Sequence, residues 1–169
     1  SRGVALALRQ FELGGLDVEQ LTSGLRLQHR HQTGGMGDWN ELAQVFTRAT
    51  EAAGSRPKLQ ELCETAIRDA LPEAVALMDL APDLVVGTQL INTYADSTFF
   101  SNLRYPTMKR RGERTLELVL SIPQRRGFGD CPAFFHAMAG VLRASSIFAG
   151  RGAATVTPSV RPFSASYEI

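Results

Sequence analysis

Residues 114–122 read RTLELVLSI, and their alternation decides the fold class. Leu116, Leu118, Leu120 and Ile122 take every second position, with Thr115, Glu117, Val119 and Ser121 between them. A period of two puts the large apolar side chains on one face of a strand, because successive side chains leave a pleated backbone on opposite sides. Upstream, SNLRYPTM (101–108) is a weaker strand, since Pro106 confines it to a sheet edge or a bulge. The charged run KRRGER (109–114) between the two suits a hairpin turn. Downstream, AATVTPSV (153–160) and RPFSASYEI (161–169) read as two further strands. In the last of them Phe163, Ala165, Tyr167 and Ile169 line one face, and Ser164, Ser166 and Glu168 the other.

Between the strand pairs lies FGDCPAFFHAMAG (128–140). Asp130 is expected to cap a helix from Cys131 to about Ala149, with Pro132 in its first turn and Gly150 at its end. Phe134, Met138, Val141 and Phe148 trace one apolar face, with Phe135, Ala139 and Leu142 beside it. Packing of this helix across the sheet accounts for those positions.

The N-terminal half has the helical period instead. GVALALRQFEL (3–13) is an apolar helix stopped by Gly14-Gly15, and DVEQLT (17–22) a short one capped by Asp17. RLQHRHQTGGMG (26–37) carries three glycines without apolar period and reads as a loop. Asp38 with Glu41 three residues on forms a capping box. Trp39, Leu42, Phe46, Ala49 and Ala53 then recur at helical spacing up to Gly54. Pro57 fits a first helical turn, and Leu59, Leu62, Cys63, Ala66, Ile67 and Ala70 make another stripe. Pro72 and Pro82 punctuate the next stretch, and DLVVGTQLINTYA (83–95) gives one more helix. The expected fold is therefore α+β: a helical subdomain over 1–98, then a β-β-α-β-β antiparallel sheet with a helix packed across it over 99–169.

Bulk properties narrow the function. The chain has 169 residues, 44% hydrophobic and 21% charged, which is ordinary globular composition. A formal net charge of +1 offers no attraction to nucleic acid or an anionic bilayer. No apolar run reaches the roughly 18 residues of a membrane span, and no secretory leader is expected. A cytoplasmic setting with two reduced thiols, Cys63 and Cys131, is expected. Ser1 in place of Met, and a closing strand without a polar tail, suggest one piece of a longer protein.

No catalytic constellation emerges, and a non-enzymatic domain is expected. Cys131 and His136 lie about 140° apart on a helix, so they cannot share a metal without a third element. Cys131 in a first helical turn would feel the positive end of the dipole, which supports a thiol redox switch; a small buried residue is the simpler reading. His29 and His31 form a pair in a glycine-rich loop, and His136 on a packed helix is most simply structural. Arg125-Arg126-Gly127 could hold an anion or form a solvated turn. No phosphate loop, dinucleotide fingerprint or zinc motif is present, so neither a metal nor a cofactor is implied by the residues themselves.

In order and composition, residues 90–169 resemble the haem–nitric-oxide-binding and 4-vinyl-reductase-like group of bacterial sensory domains. The resemblance rests on LINTYADSTFFSNLRYPTM, LELVLSIPQRRGF, FFHAMAGVLRASSIFAG and the closing strands. The first 80 residues, with GLDVEQLTSGLRL and DWNELAQVFTRATEAAG, are similar to input domains preceding regulators of the arabinose-operon type. Haem-binding members carry a histidine on the helix before the first strand; here that region reads INTYADS, with Tyr94 and no histidine. Their Tyr-x-Ser-x-Arg signature is absent too, Ser121 and Arg125 being spaced differently. The resemblance implies a bacterial input domain that senses a small apolar or amphipathic ligand and controls an attached output domain, as a homodimer, without itself touching nucleic acid or membrane. The candidate ligand-binding residues are Tyr94, Leu118, Phe135, His136, Met138 and Tyr167. The alternatives are a haem or other tetrapyrrole sensor, with Tyr94 as axial ligand, and a thiol switch or enzyme at Cys131.

Overall fold

Helix starts and stops along the N-terminal half obey local chemistry. A computed structural model describes residues 2–27, 38–70, 72–82, 86–87, 104–112, 115–121, 129–148 and 155–168. Helix α1 spans Arg2–Leu13, and Gly15, at φ 84°, takes the left-handed conformation that ends it. The Leu16 N–H reaches back to the Phe11 carbonyl and the Gly15 N–H to that of Glu12, which satisfies the last carbonyls of the helix. In α2 (Val18–Thr22) the Asp17 carboxylate accepts the Gln20 N–H. Helix α3 (Trp39–Ala53) starts at Asp38, whose carboxylate accepts the Asn40 N–H, and ends at Gly54 with φ 89°. Glu41 does not act as the returning half of a capping box. Its carboxylate accepts the Arg26 backbone N–H at 2.8 Å and ties the preceding loop to α3. Helix α4 is Arg56–Ala70, with Pro57 in its first turn, and α5 is Pro72–Leu80. Pro72 thus opens a helix that the proline spacing alone did not reveal. The helix expected over 83–95 falls mostly outside the described residues; Val86 and Gly87 are helical.

The second half is the α+β unit expected. Strands β1 (Arg104–Arg110) and β2 (Leu116–Ser121) form one hairpin. Helix α6 (Pro132–Phe148) comes next, then the hairpin of β3 (Thr157–Arg161) and β4 (Ser164–Glu168). All pairings are antiparallel, in the order β1-β2-β4-β3. Pro106 lies on an edge strand, where the register slips between Arg104 and Thr107. The other edge strand, β3, carries Pro158. Phe163 is not a strand residue: it sits in the tight turn after Pro162 with φ 61°, an uncommon conformation for a bulky side chain.

Register fixes which face of the sheet is buried. Leu118 pairs with Tyr167 and Leu120 with Ala165, all four buried, while Val119–Ser166 and Glu117–Glu168 form the other face. Helix α6 covers the inner face, and its far side is covered as well, by α3 and α4. Packing against the sheet alone was the expectation; a helix apolar nearly all round is buried on both sides instead. One core cluster consequently runs from α1 through α3, α4 and α6 into β2 and β4.

Candidate functional site

The described candidate residues come together around α6. Phe135 and Tyr167 are completely buried, and Leu118 is 4% exposed. The Tyr167 hydroxyl donates to the Phe135 carbonyl at 2.7 Å and joins β4 to the second turn of α6. Burial raises the phenol well above its ordinary value, so the donor keeps its proton. Met138 and His136 are half-buried on the same helix. Tyr94 lies outside the described residues, as do His29, His31 and residues 125–127.

Phe134 points the other way, toward the helical layer. It meets Phe46 at 5.4 Å and Trp39 at 5.5 Å between ring centroids, both edge to face. Phe46 in turn meets Phe11 at 5.2 Å. Phe134 and Phe135, at 5.4 Å, connect this aromatic chain to the sheet side. Adjacent helical positions therefore serve opposite layers, because each residue turns about 100° around the axis.

The entry to α6 is clamped by α3. The Trp39 indole N–H donates to the Gly129 carbonyl at 2.8 Å, and the Gly129 N–H donates to Asn40 Oδ1 at 2.9 Å. Helix α6 begins one residue later than its expected cap: Cys131, not Asp130, precedes the first helical residue. Burial pushes the Cys131 thiol up to about 11; the Phe134 backbone N–H works against that shift, and the nearby Asp130 charge adds to it. Cys63 is pushed up to about 12 by burial alone. Burial thus favours the protonated thiol at both positions, which works against the activation a first-turn cysteine would otherwise gain. His136 is lowered, first by burial and second by the Arg56 charge. Cys131 looks to α3, where its Sγ lies 3.8 Å from the Ala43 carbonyl. Among the described residues no group of three His, Cys, Asp or Glu is placed to hold a metal ion.

Sequence reasoning missed the closest helix contact. Gly140 packs against α4 so tightly that a Cβ there would overlap the Gln60 carbonyl and stand 3.2 Å from the Glu64 amide nitrogen. Ala133, Ala137, Gly140 and Ala144, all buried, form the small-residue stripe that permits this approach; their spacing of four, three and four was the available signal. One turn on, Arg143 pairs with Glu64 at 3.3 Å. A separate open groove of about 370 Å³ lies between the end of α1 and α4, lined by Leu13, Gly14, Leu62 and Ala66 with Lys58, Glu61 and Asp69 at its rim.

No protein-family model matches the chain, and no curated protein does so either. Solved structures do. An Fe(II) unliganded H-NOX protein from K. algicida aligns with a TM-score of 0.62 over 98% of this chain and 94% of its own, at 11% identity. A structure from a study of haem distortion in the H-NOX family gives 0.60 over 99% and 92%, at 11% identity. An oxygen-binding H-NOX domain related to soluble guanylate cyclases, in its oxygen complex, gives 0.58 over 99% and 89%, at 10% identity. At such identities the likeness establishes the fold. It spans the helical half as well as the sheet, so the opening helices are part of the same architecture.

Proposed function

We propose that this chain is a non-enzymatic sensory domain on the H-NOX fold, which binds a small apolar or amphipathic molecule and biases an attached output domain. The observation that supports this reading is the fold likeness over 98–99% of the chain to domains described as H-NOX proteins. In this reading the ligand-contacting residues are Tyr94, Leu118, Phe135, His136, Met138 and Tyr167; of these Leu118, Phe135 and Tyr167 are buried where α6 meets the sheet. Their chemistry suits recognition by shape. The setting is cytoplasmic and the working form a dimer in this reading; among the described residues no helix is long and apolar enough to cross a membrane.

A second reading is a haem or other tetrapyrrole sensor, and the same likeness speaks for it more directly, since the similar structures concern haem and an oxygen complex. The segment of this chain that precedes β1 does not fit the histidine-ligated form. Residues 81–130, between α5 and α6, contain no histidine. His136 is half-buried on α6, its pKa lowered by burial and then by the Arg56 charge, beyond the segment before β1. Both thiols are buried and hold their protons, and the Tyr167 hydroxyl is engaged. Tyr94 is the remaining axial donor in the segment before β1.

Adding hemin to the purified chain separates the two. The first reading expects the spectrum of free hemin, unchanged by protein, together with a small-molecule adduct in native mass spectrometry. A sharpened, shifted Soret band that disappears in Tyr94→Phe would establish the second. A chain that takes up neither hemin nor any small molecule would refute both.

A further inference from the structure

One side of α4 borders the end of α1 along an open groove. Leu62 and Ala66 form an apolar row on it, headed by Lys58, and Glu61, Thr65 and Asp69 run alongside as a polar row. Each row advances one helical turn per step. Leu13 and Gly14 of α1 close the groove on its other side. A Cβ on Gly14 would overlap the Leu62 side chain, so the bare glycine lets the end of α1 rest on Leu62. Leu13 stays 38% exposed, one of two large apolar side chains so open among the described residues. The volume, about 370 Å³, falls within the range of small-molecule sites. None of these residues belongs to the set placed at α6 and the sheet.

The charges around this groove are unbalanced. Glu61 and Asp69 are exposed and form no ion pair among the described residues. Lys58 is the cation nearest in sequence, yet its ammonium lies 3.8 Å from where a Cβ on Gly54 would stand, at the C-terminal end of α3. There it answers the negative pole of that helix. The end of α1 has no such answer: its last turn carries no basic residue. Two carboxylates and a helix C-terminus therefore border an apolar floor without a cation of their own.

We propose that the α1–α4 groove binds a small amphipathic amine, its hydrocarbon body on Leu13, Leu62 and Ala66 and its ammonium among Glu61, Asp69 and the end of α1. Burial of apolar area holds the body, and the sign of the rim selects the head. A neutral ligand of the same shape forgoes the attraction, and an anion is repelled. Because both carboxylates are exposed, the preference for a cation is modest and sensitive to salt. This site is separate from the one at α6 and stands or falls independently of it.

Three probes of one shape test it: n-hexylamine, n-hexanol and hexanoate, each titrated into the whole chain at neutral pH and low salt while amide NMR shifts are followed. Hexylamine should give saturable shifts confined to residues 13–16 and 58–69, with an affinity about fivefold above that of hexanol. Hexanoate should bind more weakly than either. Glu61→Gln/Asp69→Asn, at exposed positions, should bring the amine down to the level of the alcohol, as should about 0.5 M salt. Equal binding of amine and alcohol by the wild type would overturn the proposal, as would shifts centred elsewhere, no saturable shifts, or a preference that survives in the double variant. Shifts at these amides that follow protein dilution without any probe would give the groove to a second copy of the chain and overturn it too. Should the double variant not fold, the salt series decides: a preference for the amine that persists at high salt does not come from these carboxylates.

Discussion

Among the described residues Gln10 is the polar residue most out of place. It is only 5% exposed on α1, and its side-chain amide nitrogen has no hydrogen-bond partner among them. A buried donor left unmet costs on the order of 1–3 kcal/mol. Gln10→Met keeps the length and removes the donor, and should raise stability by about 1 kcal/mol in urea unfolding. Cys131 carries a second prediction at this scale. With its thiol pushed up to about 11 and only 2% of the residue exposed, alkylation by iodoacetamide at pH 8 should be on the order of a hundredfold slower than in the unfolded chain. A rate near that of a free thiol would restore Cys131 as a reactive group. Residue chemistry was partly legible in the sequence: the simpler reading of Cys131 as a small buried residue agrees with its 2% exposure. What stayed hidden was the sign of the thiol shift, because burial by α3 is a tertiary fact that no local spacing expresses.

The elements themselves were legible wherever period and punctuation agreed. RTLELVLSI alternates and is β2; Asp17, Asp38, Gly15 and Gly54 stand where helices start or stop. Misreadings arose where one residue type serves two ends. Pro72 looked like a break and is a start, and Phe163 looked like a strand residue and forms a turn. The apolar surface of α6 showed that the helix was buried, but not that it was buried twice. Its small-residue stripe supplies the element-scale prediction: Gly140→Ala places a methyl group against the Gln60 carbonyl, a rigid neighbour. Overpacking of this kind typically costs about 1–3 kcal/mol, read as a lower urea midpoint, and should separate α4 from α6. Gly112→Ala, where the nearest described side-chain atom is 3.8 Å away, is the matched control and should change little.

For the molecule as a whole, the four groups shifted by burial share one tendency: each is pushed toward its neutral form. Cys63 and Cys131 keep their protons beyond the ordinary 9.0, and Tyr167 keeps its own beyond 10.0. The unfolded chain releases these protons first as pH rises, so it binds fewer than the native state and stability falls above about pH 9. Each thiol adds a slope of up to roughly 1.4 kcal/mol per pH unit between its unfolded and folded values. His136 acts at the opposite end, removing stability below 6.5. Urea unfolding between pH 5 and 10.5 should therefore show a plateau near neutrality with a fall on both sides. A Cys63→Ala/Cys131→Ala chain should lose most of the alkaline slope; an unchanged slope would assign it elsewhere.

The prolines at the borders of the sheet limit how the domain meets other chains. Pro106 in β1 and Pro158 in β3 each deprive an outer strand of one amide hydrogen. A foreign strand laid along either rim would encounter an interrupted row of donors, so polymerisation by edge addition is disfavoured at both sides. Neighbouring molecules are left to approach through helix surfaces or the hydroxyl-bearing outer face of the sheet.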